Sequence, residues 1–170
     1  LGKYDKLAQK TEEGISYVMR NFSWPYSFPS HSNPTTPGVI LEGGELGYSL
    51  STAYGAVLDN PDLIVACLVG DGENETASSA TAWHLSKFVD PAKNGAVLPI
   101  LHLNGYKISG PTIFGRMKNE DLKSLFKGYG YEPIIVEGND DKVYRDMVKA
   151  LDKAYVSIRR IQNEARKNPD

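Results

Sequence analysis

At 170 residues the chain has the length of one ordinary domain. Folding at this size buries roughly two-thirds of the unfolded surface, so a real core forms without staples. Its 41% hydrophobic and 24% charged content is that of a globular protein, not a disordered one. A net charge of −2 gives no field for nucleic acid or an acidic membrane, and no apolar run approaches the ~20 residues of a membrane span. The lone cysteine, Cys67, excludes an internal disulfide and a cysteine-built metal cage. It reads as a small buried hydrophobe, and a cytoplasmic location fits it. The chain opens on Leu1 with no signal peptide, which is expected of a trimmed, cleaved or fragmentary chain.

Residues 3–20 read as a helix, with Leu7, Ile15 and Val18 apolar among charges and Gly14 a weak point. From Asn21 to Gly38, four prolines (Pro25, Pro29, Pro34 and Pro37) forbid regular structure. A plain linker would be polar, yet Phe22, Trp24, Tyr26 and Phe28 lie here. The expectation is an ordered loop packed on the domain or on a partner. Residues 45–58 read as a helix, with Leu46, Leu50, Ala53, Tyr54 and Val57 on one face, ended by Asn60-Pro61. Leu63–Val69 is a continuous apolar run, the pattern of a strand buried on both faces. A helix over 74–89, a second buried strand Val97–Leu103, a short helix Asn119–Lys127, a third strand Ile134–Val136 and a long helix Asp140–Arg166 follow. Such alternation predicts one α/β domain over 1–170, with a mainly parallel sheet between helical layers. Ligands bind such sheets at the carboxyl ends of the strands.

Two glycine turns stand at those ends: Gly70-Asp71-Gly72-Glu73 after the first strand and Asn104-Gly105-Tyr106 after the second. Glycines let a ligand approach backbone N–H groups, and a following helix start seats phosphate oxygens. Asp71 supplies one carboxylate oxygen, Asn104 one amide oxygen, and the Tyr106 carbonyl is the best candidate for a third. Mg²⁺ suits such a site, since it takes few protein ligands beside substrate phosphates; Ca²⁺ would also accept an all-oxygen cage. Gly-Asp-Gly alone is a common turn. An EF-hand is a poor match, and no third glycine completes a dinucleotide fingerprint.

Gly-Asp-Gly followed about thirty residues later by Asn is the thiamine-diphosphate signature, and the likeness extends further. Pro29-Ser30-His31, Thr36-Pro37-Gly38, the run from Glu42 to Leu50, the run from Asp59 to Ala66, Trp83-His84, Lys87-Phe88, the run from Gly95 to Ile108, Gly128 to Pro133 and Val136-Glu137-Gly138 resemble the phosphoketolase family. The resemblance implies a three-layer α/β/α thiamine-diphosphate-binding fold. It implies a lyase that splits xylulose 5-phosphate or fructose 6-phosphate with inorganic phosphate, giving acetyl phosphate, water and an aldose phosphate. By the same resemblance Asp71, Asn104 and the Tyr106 carbonyl hold Mg²⁺, and Gly70, Gly72 and Glu73 line the diphosphate. Gly44 and Leu46 would lie against the thiamine rings, with the Gly44 carbonyl toward the aminopyrimidine. His31 would face the reacting carbon as hydrogen-bond donor or proton shuttle, a role suited to a group whose pKa lies near working pH.

Two positions depart from the family pattern: Leu41 stands where it carries histidine, and Ala77-Ser78-Ser79 where it carries Gly-Pro-Leu. Family members also carry a pyrimidine-binding domain and a C-terminal domain. The expectation is therefore half a site, inactive alone, that associates with a pyrimidine-binding domain or subunit as a homo- or hetero-oligomer. A transketolase-like subunit and a non-catalytic interaction domain built on the cofactor fold are the alternatives.

Overall fold

A computed structural model describes residues 5–167. The chain divides into two compact units, Leu1–Glu45 and Leu46–Asp170.

In the first unit, helix α1 spans Glu12–Asn21. Thr11 caps it, its hydroxyl accepting from the Gly14 N–H at 3.1 Å, and Glu12 and Glu13 favour the positive end of the helix dipole. Of the expected helix from residue 3, residues 3 and 4 lie outside the described residues and residues 5–11 are not helical, and Gly14 shows why. A Cβ there would lie 2.3 Å from the Gln9 carbonyl oxygen, so the preceding chain folds back against a position only glycine can fill. The Pro-rich loop is ordered by its own backbone: Phe22 bridges Phe28, and the Ser23 N–H donates to the Phe28 carbonyl at 2.7 Å. Phe28 packs edge-on against Tyr17 at 5.8 Å. Of the two expected settings for the other rings, the domain and a partner, packing on the domain is not found. Phe22, Trp24 and Tyr26 stand exposed, because the tight closure between residues 22 and 28 turns them outward.

In the second unit, α2 (Ser49–Val57) begins four residues after the expected start. Gly47, at φ +98°, forces a turn that a helix cannot include. Strand β1 (Ile64–Gly70) and strand β2 (Ala96–His102) are parallel and in register from Ile64↔Ala96 to Gly70↔His102. A bond from the Gly95 N–H to the Val57 carbonyl, 2.8 Å, and one from the Ala96 N–H to the Leu63 carbonyl, 2.9 Å, fix the start of β2 beside that of β1. The two strands therefore end level.

Helix α2 covers one face of this pair. Leu50, Ala53 and Tyr54 join Cys67, Val69, Ala82, Trp83, Phe114, Leu122 and Phe126 in the core. Trp83 lies edge-on to Phe126 at 4.7 Å. The Tyr131 hydroxyl bonds the Tyr54 hydroxyl and donates to the Trp83 carbonyl at 2.9 Å.

Three sequence expectations are corrected. The helix over 74–89 is broken into α3 (Asp71–Asn74), α4 (Ser79–Ala82) and a 3₁₀ turn, Trp83–Lys87; Ala77, at φ +47°, interrupts it. Ile134–Val136 forms no strand, so among the described residues the parallel sheet has two strands. Pro133 supplies no N–H, and Ile134 and Ile135 stay exposed. Third, β1 is not buried on both faces, since Leu68 is 68% exposed. The mixed helix and strand architecture with a parallel sheet is as expected. A small antiparallel hairpin, β3 (Tyr106–Lys107) with β4 (Gly110–Pro111), follows β2. Helices α5 (Asn119–Gly128) and α6 (Lys142–Lys167) complete the unit. The buried Gln162 of α6 donates to the Pro61 carbonyl at 3.2 Å, and Arg166 pairs with Asp62 at 3.2 Å.

Candidate functional site

Because β1 and β2 end in register, the residues that leave them emerge side by side at one sheet edge. Asp71 leaves β1 and is only 1% exposed. A buried carboxylate must be paired or hydrogen-bonded, and Asp71 is. Its Oδ2 accepts from the Gly105 N–H at 2.8 Å and from the Thr112 hydroxyl at 2.7 Å. Its Oδ1 meets only the adjacent Gly72 N–H, at 3.2 Å. The Asn104-Gly105-Tyr106 turn after β2 is thus tied directly to Asp71.

Gly105 makes that turn at φ +83°, where a side chain would be strained. The exposed Asn104 amide oxygen accepts from the Tyr106 N–H at 2.9 Å. Tyr106 opens the hairpin, which returns the chain to Thr112. There the Thr112 N–H donates to the Gly105 carbonyl at 3.0 Å. Gly115 closes the clasp: its N–H donates to the Thr112 hydroxyl at 3.0 Å, and a Cβ on it would lie 2.5 Å from Gly105 Cα.

The other expected residues of this unit lie on the same turn or beside it. A Cβ on Gly70 would meet nothing within 4 Å, so its surroundings are open, whereas one on Gly72 would press on Lys107 Cβ at 3.0 Å. Glu73 faces the start of α2. It accepts from the Ser49 hydroxyl at 2.5 Å and from the Gly47 and Ser49 N–H groups at 3.3 Å each. It thereby caps a helix whose N-cap residue, Tyr48, makes no side-chain bond. Leu46, exposed, precedes that capped turn. Lys107 pairs with Glu75, whose side chain is 8% exposed and also accepts from the Ile113 N–H. The Lys107 ammonium and then the Ile113 N–H hold the Glu75 carboxyl below the usual carboxylate range.

In the first unit, the Gly43 N–H donates to the Ser32 carbonyl at 3.1 Å and so joins the His31 segment to the Glu42-Gly43-Gly44 turn. His31 Nδ1 is 3.0 Å from the Ser30 hydroxyl and 4.0 Å from Glu42 Oε1. The Glu42 carboxylate also lies against Gly44, where a Cβ would be 2.8 Å from Oε2. His84 instead packs edge-on against Tyr129 at 4.9 Å, a packing role.

The site has one buried carboxylate, a neutral amide and backbone carbonyls. Among the described residues no cluster of three or more His, Cys, Asp or Glu side chains could hold a metal by itself. A cation here would need oxygens from a bound ligand, which is how Mg²⁺ is commonly held at phosphates. Thr112, Gly115 and Glu75 are the residues that sequence reasoning missed. Thr112 lies 41 positions from Asp71, in a Gly-Pro-Thr segment that reads as an ordinary turn. The glycine spacing 105, 110, 115 was the available signal.

Residues 2–170 match the family model described as the XFP N-terminal domain. The chain belongs to that family, the N-terminal domain of phosphoketolases. Among its relatives is a "Probable phosphoketolase" of Rhodopseudomonas palustris strain BisB5, 58% identical over 93% of this chain and 20% of the relative. Proteins of the same name from Bradyrhizobium diazoefficiens and Nitrosospira multiformis are 57% and 60% identical, over 96% and 90% of this chain and 20% and 19% of the relatives. The chain thus spans about a fifth of the length of these relatives. Among the described residues no helix is long and apolar enough to cross a membrane.

Proposed function

We propose that this chain is the diphosphate- and cation-binding part of a thiamine-diphosphate- and Mg²⁺-dependent phosphoketolase, acting on xylulose 5-phosphate or fructose 6-phosphate and inorganic phosphate. The observation that carries the reading is the tie between Asp71 and the Asn104-Gly105-Tyr106 turn at one sheet edge. The residues fit the group. Asp71 Oδ1 keeps lone pairs for a cation, while Oδ2 is filled by two donors. Asn104 and the Tyr106 carbonyl would supply the further oxygens. Gly70 and Gly72 let a diphosphate approach the backbone. Thiamine diphosphate, when bound, supplies the nucleophilic carbon and the electron sink that ketose cleavage needs.

Glu73 supports the site by holding the Gly47–Ser49 turn, and with it Leu46, which would pack on the thiamine rings. Gly44 would offer its carbonyl to the aminopyrimidine. His31 would donate to, or shuttle a proton at, the substrate oxygen. The remaining cofactor contacts would come from a pyrimidine-binding domain, in the same protein or a partner subunit. Family membership favours phosphoketolase over a transketolase-like subunit.

The test is acetyl phosphate formation by the complete native polypeptide from either sugar phosphate with inorganic phosphate. The expected result is turnover that requires both thiamine diphosphate and Mg²⁺. Cofactor-independent turnover, or none from a folded, cofactor-loaded protein, would overturn the reading; the second result would favour a non-catalytic domain.

A further inference from the structure

We infer that Thr112 is a positioning residue that confines Asp71 to coordination through a single oxygen and so sets the site's preference for Mg²⁺ over Ca²⁺. This rests on the reading of Asp71 as a cation ligand. Thr112 is wholly buried, and its hydroxyl has one proton to give. The Gly115 N–H donates to that hydroxyl at 3.0 Å, which leaves its proton directed at Asp71 Oδ2, 2.7 Å away. The Gly105 N–H fills the second lone pair of Oδ2 at 2.8 Å. Neither donor is free to move. Gly105 is held at φ +83° and bonded through its carbonyl to the Thr112 N–H at 3.0 Å. Gly115 packs so closely on Gly105 that a Cβ would lie 2.7 Å from the Gly105 carbonyl oxygen.

The consequence is chemical. With Oδ2 saturated, only Oδ1 can reach a cation. Mg²⁺ demands a near-ideal octahedron, whereas Ca²⁺ takes six to eight oxygens and uses carboxylates in either one- or two-oxygen mode. Closing Oδ2 removes the two-oxygen mode. It also stops the carboxylate from rotating, which the stricter ion needs more. A hydroxyl that served only to satisfy a buried carboxylate would support both ions alike.

The experiment uses the complete native polypeptide as wild type, Thr112→Val, Thr112→Ser and Thr112→Cys. Thiamine diphosphate is held fixed, Mg²⁺ and Ca²⁺ are titrated separately, and calorimetry reads the midpoints. Thr112→Val should weaken Mg²⁺ about 10- to 100-fold, as loss of an outer partner of a ligand does. Ca²⁺ should weaken much less, so the ratio of the two midpoints shifts. Thr112→Ser, which keeps the hydroxyl, should restore the wild-type ratio. If Thr112→Val does not fold, Thr112→Cys, with its weak S–H donor, is read the same way. An unchanged ratio, with both midpoints moving by one factor or neither moving, would overturn the inference. A wild-type protein that takes up thiamine diphosphate without any cation would instead remove the cation-site reading beneath it, whatever the variants do.

Discussion

Ala77 carries a φ of +47°, a conformation that costs a residue with a Cβ roughly 1–2 kcal/mol and glycine almost nothing. Its Cβ also faces Gly47, where even an added methyl would approach to 2.7 Å. Ala77→Gly should therefore raise stability by roughly 0.5–1 kcal/mol, read as a higher urea midpoint. Glu75 gives a pH test. Its carboxyl is held low by Lys107 and the Ile113 N–H. A depressed carboxyl contributes stability above its unfolded pKa of about 4.3, and the contribution is lost as pH falls through the folded value. Glu75→Gln should lower the urea midpoint at neutral pH, and the gap from wild type should close progressively below about pH 4. A gap that stayed constant with pH would show that the charge is not the source. At this scale Asp71 was legible, because glycines flank it at a strand end. Thr112 was not, because its partner is brought near only by the hairpin of β3 and β4.

At the scale of elements, legibility followed the unbroken apolar pattern of the sequence. Strands β1 and β2 were readable as unbroken apolar runs, and observation shifts each by only a residue. The segment Ile134–Val136 had the same β-branched composition but lacks a pairing partner and follows a proline, so composition misled. The break after α3 leaves no mark in the hydrophobic pattern, since a positive φ at alanine does not alter it, but it falls at Ala77-Ser78-Ser79, where the sequence departs from the family pattern. Packing between elements makes its own prediction. Tyr131 links α2, through Tyr54, to the Trp83 carbonyl, and burial pushes the hydroxyls of both tyrosines up. Tyr131→Phe leaves the Tyr54 hydroxyl and that carbonyl without their partner. It should cost about 1–3 kcal/mol in denaturant unfolding at neutral pH. A loss near zero would show that water replaces the bond.

Leu68 on β1, and Tyr144, Val148, Tyr155 and Val156 on α6, are exposed, and the chain spans about a fifth of its relatives. A contiguous exposed apolar patch would mark contact with other protein, and the proposed cofactor site needs such a contact to be complete. The central claim is that Asp71 holds the cation through which thiamine diphosphate is bound. Calorimetric titration of thiamine diphosphate into the complete native polypeptide, with and without Mg²⁺, tests it most directly in wild type and Asp71→Asn. Binding should require Mg²⁺ in the wild type and be lost in Asp71→Asn, with the fold retained by circular dichroism. Equal Mg²⁺-dependent binding by the folded Asp71→Asn protein would contradict it.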